Sequence, residues 1–213
     1  AHAAPDRGAF ARFVQEIQDT AVRQLDGHHF DVPDPLKRVT VNLAPPGGSL
    51  GAWYISPSED LSRPGSIWYA PGERTRIPYW SEVSTAYHEG FPGHHLQVGM
   101  SVVNADRQSR FHRLFIWYSG AGEGWALYAE RLMDELGYFE KPEYRLGLLA
   151  SQLFRATRVV LDIGAQLQLA IPGDAPLHAG ATWDYAIGVD YIEKIGLQPR
   201  DMAESEVKRY LGW

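Results

Sequence analysis

The densest concentration of reactive side chains lies in Tyr87-His88-Glu89-Gly90-Phe91-Pro92-Gly93-His94-His95-Leu96-Gln97, which holds three of the chain's eight histidines. A His-Glu pair at the end of a helix, followed a turn or two later by another His, is the elementary arrangement of a zinc hydrolase. Two imidazoles bind the ion, and the Glu beside the first takes a proton from a water held there. The usual spacing is H-E-x-x-H, which sets the two ligands about 6 Å apart along the helix axis. Here position 92 is proline, and the next histidines stand six and seven residues after His88. In an unbroken helix that would be about 9 to 10 Å, uncomfortably far for two ligands of one ion. Pro92-Gly93 removes the objection by breaking the hydrogen-bond ladder, so that a two-residue bulge can fold His94 or His95 back beside His88. The spacing does not choose between them, and the same segment taken alone also reads as a polar loop.

A third ligand is available in Gly120-Ala121-Gly122-Glu123-Gly124-Trp125-Ala126-Leu127-Tyr128-Ala129-Glu130-Arg131. On a helical wheel Glu123, Leu127, Glu130 and Asp134 share one side and Trp125, Ala129, Leu132 and Leu136 the other. A Glu in the first helical turn is stabilised as an anion and is ready as a hard metal ligand. By itself this face reads equally as solvated acidic surface; beside the histidines, Glu123 completes a ligand set. Amide hydrolysis also needs a group to hold the oxyanion, and the candidates are Arg155, Arg158 and Tyr128. Arg155, Arg158 and Asp162 leave the apolar seam of their helix at spacings of three and four, as a buried polar cluster would. Arg158 and Asp162 are also spaced as an ordinary helical ion pair.

The elements that must position these residues follow from patterning. The chain has 213 residues, 45% of them hydrophobic, with 20 Lys and Arg against 26 Asp and Glu. That length and composition suit one large globular domain or two small ones, and a core of normal size can be buried. There is no Cys, which excludes disulfide scaffolds, thiolate zinc sites, iron–sulfur clusters and cysteine nucleophiles, so a metal must be held by His, Asp or Glu. The net charge of -6 and the lack of a basic cluster argue against a nucleic acid partner. No stretch approaches the roughly 20 apolar residues of a membrane span. The sequence predicts a soluble protein and leaves its compartment, cytoplasmic or secreted and periplasmic, undecided.

Periodicity predicts a helix from Gly8 to about Leu25, then strands at Val39–Leu43, Ala52–Ile55 and Ser66–Ala70 separated by Pro- and Gly-rich turns. After Pro78 the pattern is helical: about Tyr79–Gly90, His94–Asn104, Phe111–Trp117, Gly122–Leu136, Pro142–Ile171, a helix capped by Thr182 and ending near Ile195, and one opened by Pro199 and ending near Leu211. In the long helix Leu146, Leu149, Leu153, Ala156, Val160, Ile163, Leu167 and Ala170 form a seam expected to pack against neighbouring helices. The expected fold is α+β and mainly α, a single domain over 1–213 with a small sheet within 39–70 and a helical part over 78–213.

The string H-E-G-F-P-G-H-H-L-Q followed by G-E-G-W-A-L-Y-A-E-R-L-M-D-E-L-G resembles a widespread bacterial family of unknown function, commonly grouped with the gluzincin metallopeptidases. Further matches are Gly51-Ala52-Trp53-Tyr54, the segment from Pro57 to Gly65, Glu82 to Tyr87, Arg155 to Gly164, and Arg209-Tyr210-Leu211-Gly212-Trp213. The resemblance implies a zincin-like domain and Zn2+ as cofactor, with His88 as first ligand, Glu89 as general base and Glu123 as third ligand. Glu123-Gly124-Trp125-Ala126 is similar to the N-E-G-F-A string around the ligand Glu of zinc aminopeptidases. Gly93-His94 resembles the end of the H-E-x-G-H motif of related oligopeptidases, which makes His94 the preferred second ligand and His95 the runner-up. Family members are generally longer on the N-terminal side and usually carry a Pro-Gly-Gln-Ala segment after Leu-Gly-Trp. The resemblance therefore implies a C-terminal piece of a longer protein, against which the missing N-terminal part packs. The implied activity is hydrolysis of a peptide or other amide; the alternative is a metal-binding or protein-interaction module without catalysis.

Overall fold

A computed structural model describes residues 3–212. The protein is α+β and mainly α. Its elements are α1 (Arg7–Leu25), a short 3-10 turn (Asp34–Leu36), β1 (Val39–Leu43), β2 (Gly51–Ile55), β3 (Gly65–Ala70), α2 (Glu82–Glu89), α3 (His94–Val103), α4 (Arg110–Leu114), α5 (Ser119–Glu135), α6 (Pro142–Gln166), α7 (Tyr185–Lys194) and α8 (Arg200–Leu211). Among the described residues no helix is long and apolar enough to cross a membrane. The chain divides into two compact units, one through Leu148 and one from Leu149 onward.

In the first unit the strands lie in the order β1-β3-β2, with β1 parallel to β3 and β2 antiparallel to it. The central strand is the most buried, in keeping with its run Ser66-Ile67-Trp68-Tyr69-Ala70. The two edges are treated differently. Gln15 of α1 covers β1, donating Nε2 to the Val39 carbonyl at 2.9 Å and accepting from the Val41 N–H at 3.0 Å. Strand β2 keeps an alternating, half-exposed pattern on the other edge. Helix α1 starts where the Asp6 side chain accepts from the Ala9 N–H. Its buried stripe, Phe10, Val14, Gln18, Ala21, Val22 and Leu25, spans two apolar clusters. Phe10 and Val14 pack with Val39, Ile67, Tyr69 and Ala86, whereas Ala21, Val22 and Leu25 pack with Val83, Tyr87, Phe91, Leu96 and Met133. Helix α2 thus supplies residues to both clusters, which is why nearly all of it, His88 and Glu89 included, is buried.

In the second unit Leu161, Val189, Ile192, Ala203 and Val207 form a small core, with Phe154, Ala165, Trp183 and Tyr210 at its margin. Asp184 caps α7, accepting from the Ile187 N–H at 2.8 Å, instead of the expected Thr182, which is engaged in a β-bridge with Ala170. The same bridge and the left-handed Gln168 end α6 at Gln166, earlier than expected.

The largest departure concerns the seam of α6. Leu146, Leu149, Leu153, Val160, Ile163 and Leu167 are exposed, and the buried stripe falls on Gly147, Leu148, Thr157, Leu161 and Gly164 instead. The reason is close approach. A side chain at 147 would overlap the Trp80 carbonyl and one at 164 would overlap the Trp183 indole, so the glycines let neighbours in and the leucines turn out.

Candidate metal centre

Helix α2 ends at Glu89, with the Gly90 N–H still bonded to the Ala86 carbonyl at 3.0 Å. Pro92 has no N–H to continue the ladder. Gln18, fully buried on α1, takes over at the break: its Nε2 donates to the Ala86 carbonyl and its Oε1 accepts from the Phe91 N–H, both at 2.7 Å. One amide side chain so meets the Phe91 N–H that the interrupted helix leaves over and adds a second bond to the Ala86 carbonyl. The chain then turns back through a cis Phe91–Pro92 peptide. The Gly93 N–H reaches the Tyr87 carbonyl at 3.1 Å, and Trp125 Nε1 on α5 donates to the Pro92 carbonyl at 2.9 Å. Gly93 is pressed against the end of α2 so closely that a Cβ there would overlap the carbonyl oxygens of Tyr87 and His88.

This fold-back brings His94, the first residue of α3, beside His88, with ring centroids 4.8 Å apart and nearly perpendicular. Glu123 enters from α5. Its Oε2 lies 3.1 Å from His88 Nε2 and 3.6 Å from His94 Nε2. Helix α5 begins at Ser119, earlier than expected, so Glu123 sits a full turn inside it and not in its first turn. His88, His94 and Glu123 each offer one donor atom, and all three lie within 4.8 Å of one another. Atoms about 2 Å from one ion stand about 3 to 4 Å apart, so small side-chain rotations would close this set around a cation. Two imidazoles and one carboxylate suit zinc.

Behind His88 stands Glu130, also on α5 and almost wholly buried. Its Oε1 is 2.7 Å from His88 Nδ1, and its Oε2 accepts a short hydrogen bond from Ser84 Oγ. A carboxylate only accepts, so without a metal both ring nitrogens of His88 carry protons, Nδ1 toward Glu130 and Nε2 toward Glu123. Burial draws the pKa of His88 down, but hydrogen bonds to Glu123 and Glu130 and the charge of Glu89 outweigh it and push it up to about 9. Glu123 is held well below the usual carboxylate range by its hydrogen bonds to His88 and His94. The carboxylates around His88 therefore demand a positive charge, which a proton supplies when no metal does.

His95 has a different task. It is completely buried, with Nε2 2.8 Å from the Leu36 carbonyl and Nδ1 2.9 Å from the Tyr54 hydroxyl. Burial lowers its pKa to about 4, so the neutral ring donates from Nε2 to Leu36 and accepts at Nδ1 from Tyr54. Both ring nitrogens are committed to the protein. Of the two histidines that the spacing left open, the structure brings His94 to the cluster and uses His95 to anchor strand β2.

The cluster opens into a cleft of about 820 Å³ lined by Glu89, His94 and Glu123, by Ala52, Trp53 and Tyr54 of β2, and by the segment 107–118. Glu89 is nearly buried there, at 9% exposure. Trp117 packs edge-on to His94 at 5.4 Å. Two other expected catalytic residues have these surroundings. Tyr128 is exposed beside Trp125, at 5.9 Å between rings, and does not line the cleft. Five residues past Glu123 it points about 140° away around the helix. Arg158 belongs to the second unit, where its Nε donates to Glu206 Oε2 at 2.7 Å and its guanidinium lies over the Phe154 ring at 4.0 Å. Its partner is Glu206 of α8 rather than Asp162. Arg155, in the same unit, is partly buried. No spacing signal points to Ser84 or Gln18, whereas the helical wheel places Glu130 on the face of Glu123.

A family model described as "Bacterial protein of unknown function (DUF885)" matches residues 2–213. Among solved structures, the chain is similar to the crystal structure of a "putative lipoprotein" from Colwellia psychrerythraea, with a TM-score of 0.78 and 26% identity. That match covers 100% of this chain and 34% of the other, so the chain spans about a third of that protein's length. No curated protein matches the chain.

Proposed function

The chain belongs to the DUF885 family of bacterial proteins, and from that premise we propose that it is a zinc-dependent hydrolase cleaving a peptide or related amide, in the manner of the gluzincins. The observation that carries this reading is the convergence of His88, His94 and Glu123 on one point at the head of the cleft, with Glu130 fixing the ring of His88 from behind. His88, His94 and Glu123 would hold the ion. When bound, zinc supplies Lewis-acid polarisation of a carbonyl and an acidified water.

The protein's own residues do the rest. Glu89, adjoining the cluster in the cleft wall, accepts a proton from the attacking water and returns it to the leaving amine as the C–N bond breaks. Strand β2 lines the same cleft and is the half-exposed edge of its sheet, so an extended substrate can pair with its backbone. The Tyr54 hydroxyl, given to His95, keeps that strand in place.

Metal analysis tests the reading. The wild type is expected to bind one zinc per chain, and a chelator should abolish peptide hydrolysis that added zinc restores. His94→Ala should lose the zinc, whereas His95→Gln should keep it and lose thermal stability instead. Full zinc content in His94→Ala would defeat the ligand assignment, and stoichiometric zinc with no hydrolysis by the wild type would favour a non-catalytic metal-binding module. Glu130→Gln should weaken zinc binding by about 10- to 100-fold, the usual cost of losing a carboxylate behind a ligating histidine. A titration giving wild-type affinity would remove Glu130 from that role.

A further inference from the structure

We propose that Arg113 is the anion anchor of the cleft and receives a carboxylate of the substrate. The proposal rests on the hydrolase reading for the identity of that substrate, but not for the existence of the site. Arg113 lies on α4 and lines the same cleft as Glu89, His94 and Glu123. Its side chain is only 9% exposed. Nη2 donates to Glu59 Oε1 at 3.1 Å, but Nε and Nη1 are shut off from solvent and have no hydrogen-bond partner among the described residues. A buried guanidinium is tolerated when its donors are met, and here two of its three nitrogens are not.

Glu59 does not make up the deficit. Arg110, itself largely exposed, takes both oxygens of that carboxylate, from Nε at 3.0 and 3.1 Å and from Nη2 at 2.9 Å. One negative charge is thus shared between two positive ones, and a full positive charge is left over beside the cleft. Arg107 and His112 also line the cleft. A group suited to the Arg113 end has to be negative, and the anionic group that a peptide offers is a carboxylate. In a peptide it comes either from the free C-terminus or from an Asp or Glu side chain.

The test uses three peptides of one core sequence: a free acid with neutral side chains, its C-terminal amide, and the amide carrying one Glu. The wild type should cleave one of the two acids about 10- to 100-fold better than the neutral amide, judged by kcat/KM, as a charge-assisted hydrogen bond implies. The favoured acid identifies the source of the carboxylate. In Arg113→Met that ratio should collapse to about one, and in Arg113→Lys, which keeps the charge without the planar fork, it should be intermediate. Equal cleavage of all three peptides by the wild type, or an unchanged ratio in Arg113→Met, overturns the proposal.

If the wild type cleaves none of them, the hydrolase reading fails and the anchor is read by calorimetric binding of the same peptides. Preference for an acid that disappears in Arg113→Met would sustain the anchor without hydrolysis, and equal binding of all three would end it.

Discussion

Glu89→Gln is expected to lower kcat for peptide hydrolysis by about 10²- to 10⁴-fold, the usual contribution of a general base, while leaving zinc content at the wild-type level. Glutamine keeps the size of the side chain and loses the ability to accept a proton. The three donors that converge are His88, His94 and Glu123, so the substitution removes none of the proposed ligands. It does remove a charge that favours the protonated form of His88. The same charge also attracts a bound cation, so any fall in zinc affinity should be small beside that of losing a ligand. The expected pattern is a protein that binds zinc and substrate but turns over slowly, read from metal analysis, KM and kcat together. Turnover at the wild-type rate with zinc bound would exclude Glu89 as the base. Loss of zinc along with activity would mean that Glu89 holds the metal site together, a different role from the one assigned.

The contrast between the two glutamates of α5 shows what the sequence could and could not convey. Glu123 and Glu130 are seven residues apart and share a helix face, which the wheel makes plain. Their opposite fates depend on what faces them: Glu123 reaches the cleft, and Glu130 is sealed against Ser84 and His88, residues more than forty positions away in sequence. The strands and most helices were legible within a few residues because their signals are local, such as the alternation of Val39–Leu43 or the prolines at 142 and 199. The break between α2 and α3 was legible from Pro92-Gly93 for the same reason. Gln18, which satisfies that break, was not, since its bonds to Ala86 and Phe91 span 68 and 73 residues. The α6 seam failed for a related cause. Leucine periodicity says which face is apolar, but Gly147 and Gly164 decide which face neighbours can reach. Arg113 carried no signal either, because its meaning lies in sharing Glu59 with Arg110 and leaving two nitrogens unmet.

Gly93→Ala is expected to destabilise the fold by about 3 kcal/mol or more and to weaken zinc binding at the same time, an effect at the upper end of what an added methyl group usually costs. The methyl group would collide with the carbonyl oxygens of Tyr87 and His88, and both are backbone atoms at the end of a helix buried on most sides. Neither can swing away as a flexible side chain would. Relief has to come from moving the loop off α2, and His94 moves with it because it is the next residue. The two losses should therefore appear together in denaturant unfolding and in a zinc titration. Gly124 provides the control. It adjoins Glu123 on α5, has open space where a Cβ would go, and as alanine should raise stability by up to about 1 kcal/mol without changing zinc affinity. If Gly93→Ala matched the wild type in both measurements, the close approach at Gly93 would not be what sets His94 beside His88, and the fold-back would have to be credited to Gln18 and Trp125 alone.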